Sequence, residues 1–161
     1  MEYIYERKIN YYETDKMGIV HHSNYIRFLE EARCKMLEQF EMPYSSFESN
    51  GIMIPVLGVN CSFKHHVTFN DIILIEPYVK QFNGVRLTMG YSITNKKTGN
   101  IVLTGETKHC FTDTSLKPIR LQNHIPEFYE KFIKFHRMDI ESWKDKFYDT
   151  MCWILKKLVK R

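Results

Sequence analysis

Residues 12–33 read YETDKMGIVHHSNYIRFLEEAR, and the fold turns on this stretch. It sets one acid, Asp15, in a short loop with Gly18, follows with His21 and His22, and then enters an amphipathic helix. Ser23 or Asn24 is the expected N-cap, because a short polar side chain there accepts from the first orphan N–H groups. Ile26, Leu29, Ala32, Met36, Leu37 and Phe40 recur at spacings of three and four, the apolar stripe of a helix over 23–41. Arg27 with Glu31, and Glu31 with Lys35, are the expected i,i+4 pairs on its outer face. Pro43 stops it. The arrangement aims a carboxylate and a helix N-terminus, with its unpaired N–H groups and positive dipole end, at one small space.

Strand texture flanks this segment. Residues 3–12 alternate apolar and polar and read as a strand. After a loop with Gly51 and Pro55, residues 58–69 and 71–82 are rich in Val, Ile, Phe and Tyr. Asn83-Gly84 is a hairpin signal. Val85, Leu87, Met89, Tyr91 and Ile93 then alternate with Arg86, Thr88, Gly90, Ser92 and Thr94, the pattern of a strand with one buried face. Residues 95–100 make a polar turn and 101–112 a last strand. Strand, long helix and meander give an α+β layout, with the helix stripe expected on the concave face of the sheet. Phe128, Phe132 and Phe135 announce a further helix.

The chain has 161 residues, 43% hydrophobic and 26% charged, which is ordinary globular composition. A net charge of +4 does not by itself indicate a nucleic-acid partner. No apolar run is long enough to span a membrane, and the first ten residues lack the apolar core of a signal peptide. Cys34, Cys61, Cys110 and Cys152 are far apart, without a CxxC pair. Free thiols in a reducing cytoplasm are the expected state. No GxSxG elbow, P-loop or GxGxxG is present. Adjacent histidines diverge on a strand and on a helix, so neither His21-His22 nor His65-His66 offers more than one good ligand, and no metal site is expected.

The run Asp15-Lys16-Met17-Gly18-Ile19-Val20-His21-His22-Ser23-Asn24-Tyr25, continuing into Phe28, Glu30, Glu31, Ala32 and Arg33, resembles the signature of the hotdog-fold acyl-CoA thioesterases. The nearest types are the 4-hydroxybenzoyl-CoA thioesterase family and its short-chain acyl-CoA relatives. Phe63 to Asp71 also resembles the family's junction between two strands. The resemblance spans roughly residues 1–130. It implies an antiparallel sheet wrapped around one long helix. It also implies protomers that pair edge to edge as a homodimer or homotetramer, and acyl-CoA bound between them. No cofactor is implied, CoA being part of the substrate.

A thioester is an activated acyl group with a stable thiolate leaving group, so its hydrolysis needs a base or nucleophile and a site for the oxyanion. Asp15 is the candidate carboxylate, acting on water or attacking the carbonyl itself. Helix-start N–H groups near His22 and Ser23 are the candidate oxyanion donors, and the resemblance singles out the His22 N–H. The expected catalytic residues are thus Asp15 and His22. Gly18, Ser23, Tyr25 and Lys64 are the expected substrate contacts, with Gly18 turning the loop backbone close to the ligand and Lys64 facing the CoA phosphates. An Asp before a helix is ordinarily a turn or cap residue; only the motif around it raises it to a catalytic candidate. Glu13 reads as solvent-facing. A carrier-protein thioesterase and a non-catalytic acyl-CoA-binding protein are the alternatives on the same fold.

The resemblance divides the chain into a thioesterase domain over 1–136 and an extension over 137–161. In the extension Trp143, Phe147, Met151, Ile154, Leu155 and Leu158 line an apolar stripe, and Lys156, Lys157, Lys160 and Arg161 make its end basic. Three readings stay open for this basic amphipathic segment: packing on its own domain or another protomer, lying on an anionic membrane surface, or binding a partner protein or staying disordered.

Overall fold

Asn95, Thr98 and Gly99 turn one pair of strands, Asn83 and Gly84 another, and these turns set the order of the sheet. The computed structural model describes residues 3–136. Its strands are β1 (Tyr5–Lys8), β2 (Val56–Phe63), β3 (Ile72–Phe82), β4 (Arg86–Asn95) and β5 (Ile101–Cys110). They form one antiparallel sheet in the order β1-β3-β4-β5-β2. Helix α1 (His22–Gln39) lies on its concave face, α2 (Tyr44–Ser49) follows, and α3 covers 126–136. This is the hotdog arrangement that the resemblance implies. The extension over 137–161, with both tryptophans, lies outside the described residues.

The β3–β4 hairpin shows how the sequence closes its turns. The Asn83 side-chain oxygen accepts the Val85 and Arg86 N–H groups at 3.1 and 2.8 Å, and Gly84 takes φ +83°. A left-handed residue is what a tight hairpin needs. Along β4, Leu87, Met89, Tyr91 and Ile93 are buried as the alternation predicts. They pair in register with β3 and β5, Ile93 lying between Ile75 and Leu103.

The face of α1 differs from the expectation by one position. Tyr25, Phe28, Leu29, Ala32, Arg33, Met36 and Leu37 are buried, while Ile26 is 48% exposed. Two aromatic side chains at 25 and 28 rotate the stripe, because larger rings displace more water when they face the sheet. The helix also begins earlier. Its N-cap is His21, whose Nδ1 accepts the Ser23 N–H at 3.4 Å, not Ser23 or Asn24. Glu31 pairs with Arg7 of β1 and Lys35 with Glu38, so the expected Arg27–Glu31–Lys35 ladder does not form.

Two strand boundaries move for local reasons. The expected strand over 3–12 ends at Lys8, because the Asn10 N–H bonds the Glu13 carboxylate and starts a 3-10 turn at Tyr11–Glu13. The expected strand over 58–69 is β2, and it ends at Phe63, where the Lys64 and His65 N–H groups both reach the Val102 carbonyl. The 43–50 segment, given no element in the sequence, contains α2, which buries Phe47 against Phe128 with ring centroids 4.9 Å apart. Phe82, Phe111 and Phe132 complete this aromatic plug. It closes the end of the cradle by the C-terminus of α1. Asp15 sits at the other end, about 27 Å away along an 18-residue helix. Among the described residues no helix is long and apolar enough to cross a membrane.

Candidate active site

Asp15 opens a tight turn. Its main-chain oxygen accepts the Gly18 N–H at 2.9 Å, and its Oδ1 accepts the Met17 N–H at 2.8 Å. Gly18 takes φ +76°, where a side chain would be strained. The Asp15 N–H returns to the Ile19 carbonyl at 2.9 Å, and a Thr14–Val20 bridge closes the loop. One carboxylate oxygen is therefore fixed by the backbone. No hydrogen bond from the described residues occupies Oδ2.

Val20 carries the loop onto the next element. Its N–H donates to the Val67 carbonyl at 2.9 Å, and Ile19 bridges Thr68. The segment after β2 is thereby drawn beside the start of α1. Together they line a cleft of about 240 Å³ that includes Asp15, Met17, His22, Tyr25, Phe63 and Lys64. His65 and His66 stand at its side; His65 Nδ1 lies 2.7 Å from the Ile101 carbonyl.

The helix start supplies the donors. The His21 N–H goes to the Glu13 carbonyl at 2.9 Å and the Asn24 N–H to the His21 carbonyl at 3.0 Å. Ser23 is held by His21, its hydroxyl 2.8 Å from Nδ1. The His22 N–H finds no acceptor among the described residues. It sits in the first turn of α1, where the dipole favours negative charge.

Tyr25 is 4% exposed, and burial pushes its hydroxyl up to about 12, so it stays protonated at neutral pH. Phe28 and Phe63 meet its ring edge-on at 5.6 and 5.4 Å. The result is an aromatic wall that shares the cleft with a carboxylate and the start of α1. Such a site suits an acyl group attached to a polar reacting centre.

Asp15, His22, Tyr25 and Lys64, singled out in the sequence, are thus neighbours in one cleft. Gly18 shapes the turn without lining it, and Ser23 serves the helix start. Glu13 does not face solvent. It is 3% exposed and bound by the Arg7 guanidinium through both carboxylate oxygens. Burial alone pushes the Glu13 carboxyl up, but the Arg7 guanidinium and the Asn10 N–H outweigh it and hold the group below the usual carboxylate range. The capping-box spacing of Asn10 and Glu13 was the signal for this. Among the described residues no group of three or more His, Cys, Asp or Glu is placed to hold a metal ion.

A larger cavity, about 690 Å³, opens at the far end of β5 beside Arg86, Lys108 and His136. It has no carboxylate or thiol in its lining, whereas the smaller cleft holds the Asp15 carboxylate.

Comparison with known proteins identifies the family and agrees with the fold. Residues 9–133 match the family model of the thioesterase-like superfamily. The chain belongs to that family. The class of reaction that comes with it is thioester hydrolysis. Among curated relatives, the thioesterase is 29% identical to the putative acyl-CoA thioesterase YneP of Bacillus subtilis, over 80% of this chain and 94% of that one. It is 34% identical to a putative esterase of Aquifex aeolicus, over 68% and 84%. Among solved structures, the DHNA-CoA thioesterase of Staphylococcus aureus superposes with a TM-score of 0.82 at 30% identity, covering 88% of this chain and 95% of that one.

Proposed function

We propose that this chain hydrolyses acyl-CoA thioesters to a free carboxylic acid and CoA, with Asp15 as base or nucleophile. The observation that carries the proposal is the Asp15 carboxylate sharing a cleft with His22, with neither Oδ2 nor the His22 N–H given a partner among the described residues. The acyl carbonyl rests against that N–H. Asp15 activates a water or attacks the carbonyl, and the oxyanion that forms is stabilised by the His22 N–H and the helix dipole. Collapse expels the CoA thiolate, whose conjugate thiol has a pKa of about 8.5, so no strong acid is needed; on the direct-attack route water then cleaves the acyl–Asp15 anhydride, releasing the acid and restoring the carboxylate. Tyr25 and Phe63 pack the acyl end, and Lys64 at the mouth meets CoA phosphate. The Bacillus and Staphylococcus relatives, named for CoA thioesters, support this substrate class.

The working unit in this reading is a dimer joined along β2. That strand is an open sheet edge of eight residues, VLGVNCSF, without a charge. Val56, Leu57, Val59 and Phe63 are exposed on it. The other edge, β1, has four residues, YERK, three of them charged. Uncharged edges invite pairing and charged ones resist it. A two-fold axis pairs β2 with its own copy antiparallel. Phe63 ends β2 and lines the cleft, so the second copy lies beside the site and enlarges it. A cleft of 240 Å³ is below the range of about 300–1,000 Å³ usual for whole ligand sites, as expected of a site with one wall missing. Val59→Asp places like charges near the dyad. We expect light scattering to show the mass halved at micromolar concentration and hydrolysis lost with it; an unchanged mass refutes the β2 interface.

Incubation with short, long and aromatic acyl-CoAs in ¹⁸O-water, read by mass spectrometry, tests the reaction. Free CoA and an ¹⁸O-bearing acid are expected. Intact thioester recovered from a protein that still binds CoA indicates a binding module. Hydrolysis confined to carrier-protein thioesters indicates the other alternative.

A further inference from the structure

The Asp15 loop is tied to the body of the protein through one buried guanidinium. Arg7 of β1 has a side chain 10% exposed. Both its terminal nitrogens bond the Glu13 carboxylate, and its Nε donates to Glu31 of α1 at 2.7 Å. Its planar face lies over the Phe28 ring, 3.9 Å from the centroid. Arg7 thus joins three elements: β1, the 3-10 turn and α1.

Glu13 is held at both of its ends. Its carboxylate is clasped by Arg7 and by the Asn10 N–H at 2.8 Å. Its main-chain oxygen accepts the His21 N–H at 2.9 Å and the Asn24 amide at 2.8 Å. Two residues beyond Glu13 on one side is Asp15. Across the Thr14–Val20 bridge, one residue beyond His21, is the unoccupied His22 N–H. The two groups given chemical roles are therefore both referenced to Glu13.

Burial of the Arg7 guanidinium with the Glu13 carboxylate is a poor way to gain stability, because apolar residues of similar volume do as well or better. What the fork supplies is fixed geometry: a bidentate Arg–carboxylate pair sets both distance and plane. We propose that the Arg7–Glu13 clasp is the positioning device of the active site, setting the separation between the Asp15 carboxylate and the His22 N–H. Arg7 and Glu13 act through the loop and do not touch substrate. The catalytic part of this inference rests on the thioesterase reading given above; the mechanical part does not.

The test compares wild type, Arg7→Lys, Arg7→Ala and Glu31→Gln as full chains. Arg7→Ala is expected to lower kcat about 100-fold, the cost of a misplacement near 1 Å, with KM within about threefold. Arg7→Lys keeps the charge without the fork and is expected near 10-fold. Glu31→Gln leaves the Arg7–Glu13 pair and is expected within about threefold. Added ethylguanidinium is expected to restore Arg7→Ala at least about tenfold by refilling the clasp, a recovery that general instability would not show. Independently of activity, amide exchange at Asp15, Gly18 and His21 is expected to quicken in Arg7→Ala while that of β4 stays slow. Unchanged loop exchange together with kcat within twofold of wild type overturns the proposal. So does a kcat loss that guanidinium does not reverse and that follows the unfolded fraction. Should Arg7→Ala fail to fold, Arg7→Lys against Glu31→Gln decides the same question by their order. Wild type without any hydrolysis sinks the acyl-CoA reading, and the exchange comparison still decides the clasp.

Discussion

Wild-type protein is expected to lose about 2–3 kcal/mol of stability between pH 7.5 and 4.5 through His109 alone. This imidazole is 1% exposed and sits against the buried cation Arg33. Its Nε2 lies 2.7 Å from the Thr107 hydroxyl and 3.5 Å from Arg33 Nη1. Nδ1 faces the Ile54 backbone without closing a full hydrogen bond. Arg33 Nε donates to the Tyr44 hydroxyl at 2.7 Å, a neutral acceptor, and the nearest titratable neighbours supply no carboxylate to balance a second charge. Burial first, and then the Arg33 charge, push His109 down to about 4 from 6.5. The folded state therefore resists a proton that the unfolded chain accepts. The unfolded state binds more protons at every pH below about 6.5, so stability falls as pH drops and this loss is complete below about 4. Urea unfolding of wild type and His109→Gln at both pH values isolates the effect. The variant, less stable at pH 7.5, is expected to lose about 2–3 kcal/mol less on acidification; parallel pH slopes would show that His109 does not resist protonation.

Asp15→Asn is expected to fold as wild type and to lose between about 10²- and 10⁴-fold in kcat, the range for removal of a general base. The substitution is nearly isosteric. Its amide oxygen still accepts the Met17 N–H, so the turn that fixes the residue survives. What disappears is the negative charge at Oδ2, and with it both water activation and direct attack. The His22 N–H, Tyr25 and Phe63 remain, so a non-hydrolysable acyl-CoA thioether is expected to bind within about threefold of wild type by calorimetry, because ground-state contacts are unchanged. Affinity lost along with rate would make Asp15 a binding residue instead.

Much of this was legible in the chain. The inward alternation of β4 and the Asn83-Gly84 turn are local, period-two signals, and both appear as written. The Asp15-to-helix order placed the carboxylate beside the helix start because few residues separate them. Contacts between distant segments were not legible. Nothing local states that Val67 and Thr68 pair with the Asp15 loop, which is what brings Phe63 and Lys64 to the cleft. Glu13 read as a surface acid because its partner, Arg7, lies on another element. Ile26 read as core because spacing alone does not fix the phase of a stripe by one residue; the rings of Tyr25 and Phe28 do.

The most direct test of the central claim is the rate of thiol release from a panel of short, long and aromatic acyl-CoAs, with wild type and Asp15→Asn side by side. Wild type is expected to hydrolyse at least one acyl-CoA, and the variant to do so at least about 100-fold more slowly. Hydrolysis by Asp15→Asn near the wild-type rate would contradict this and move the chemistry away from this cleft.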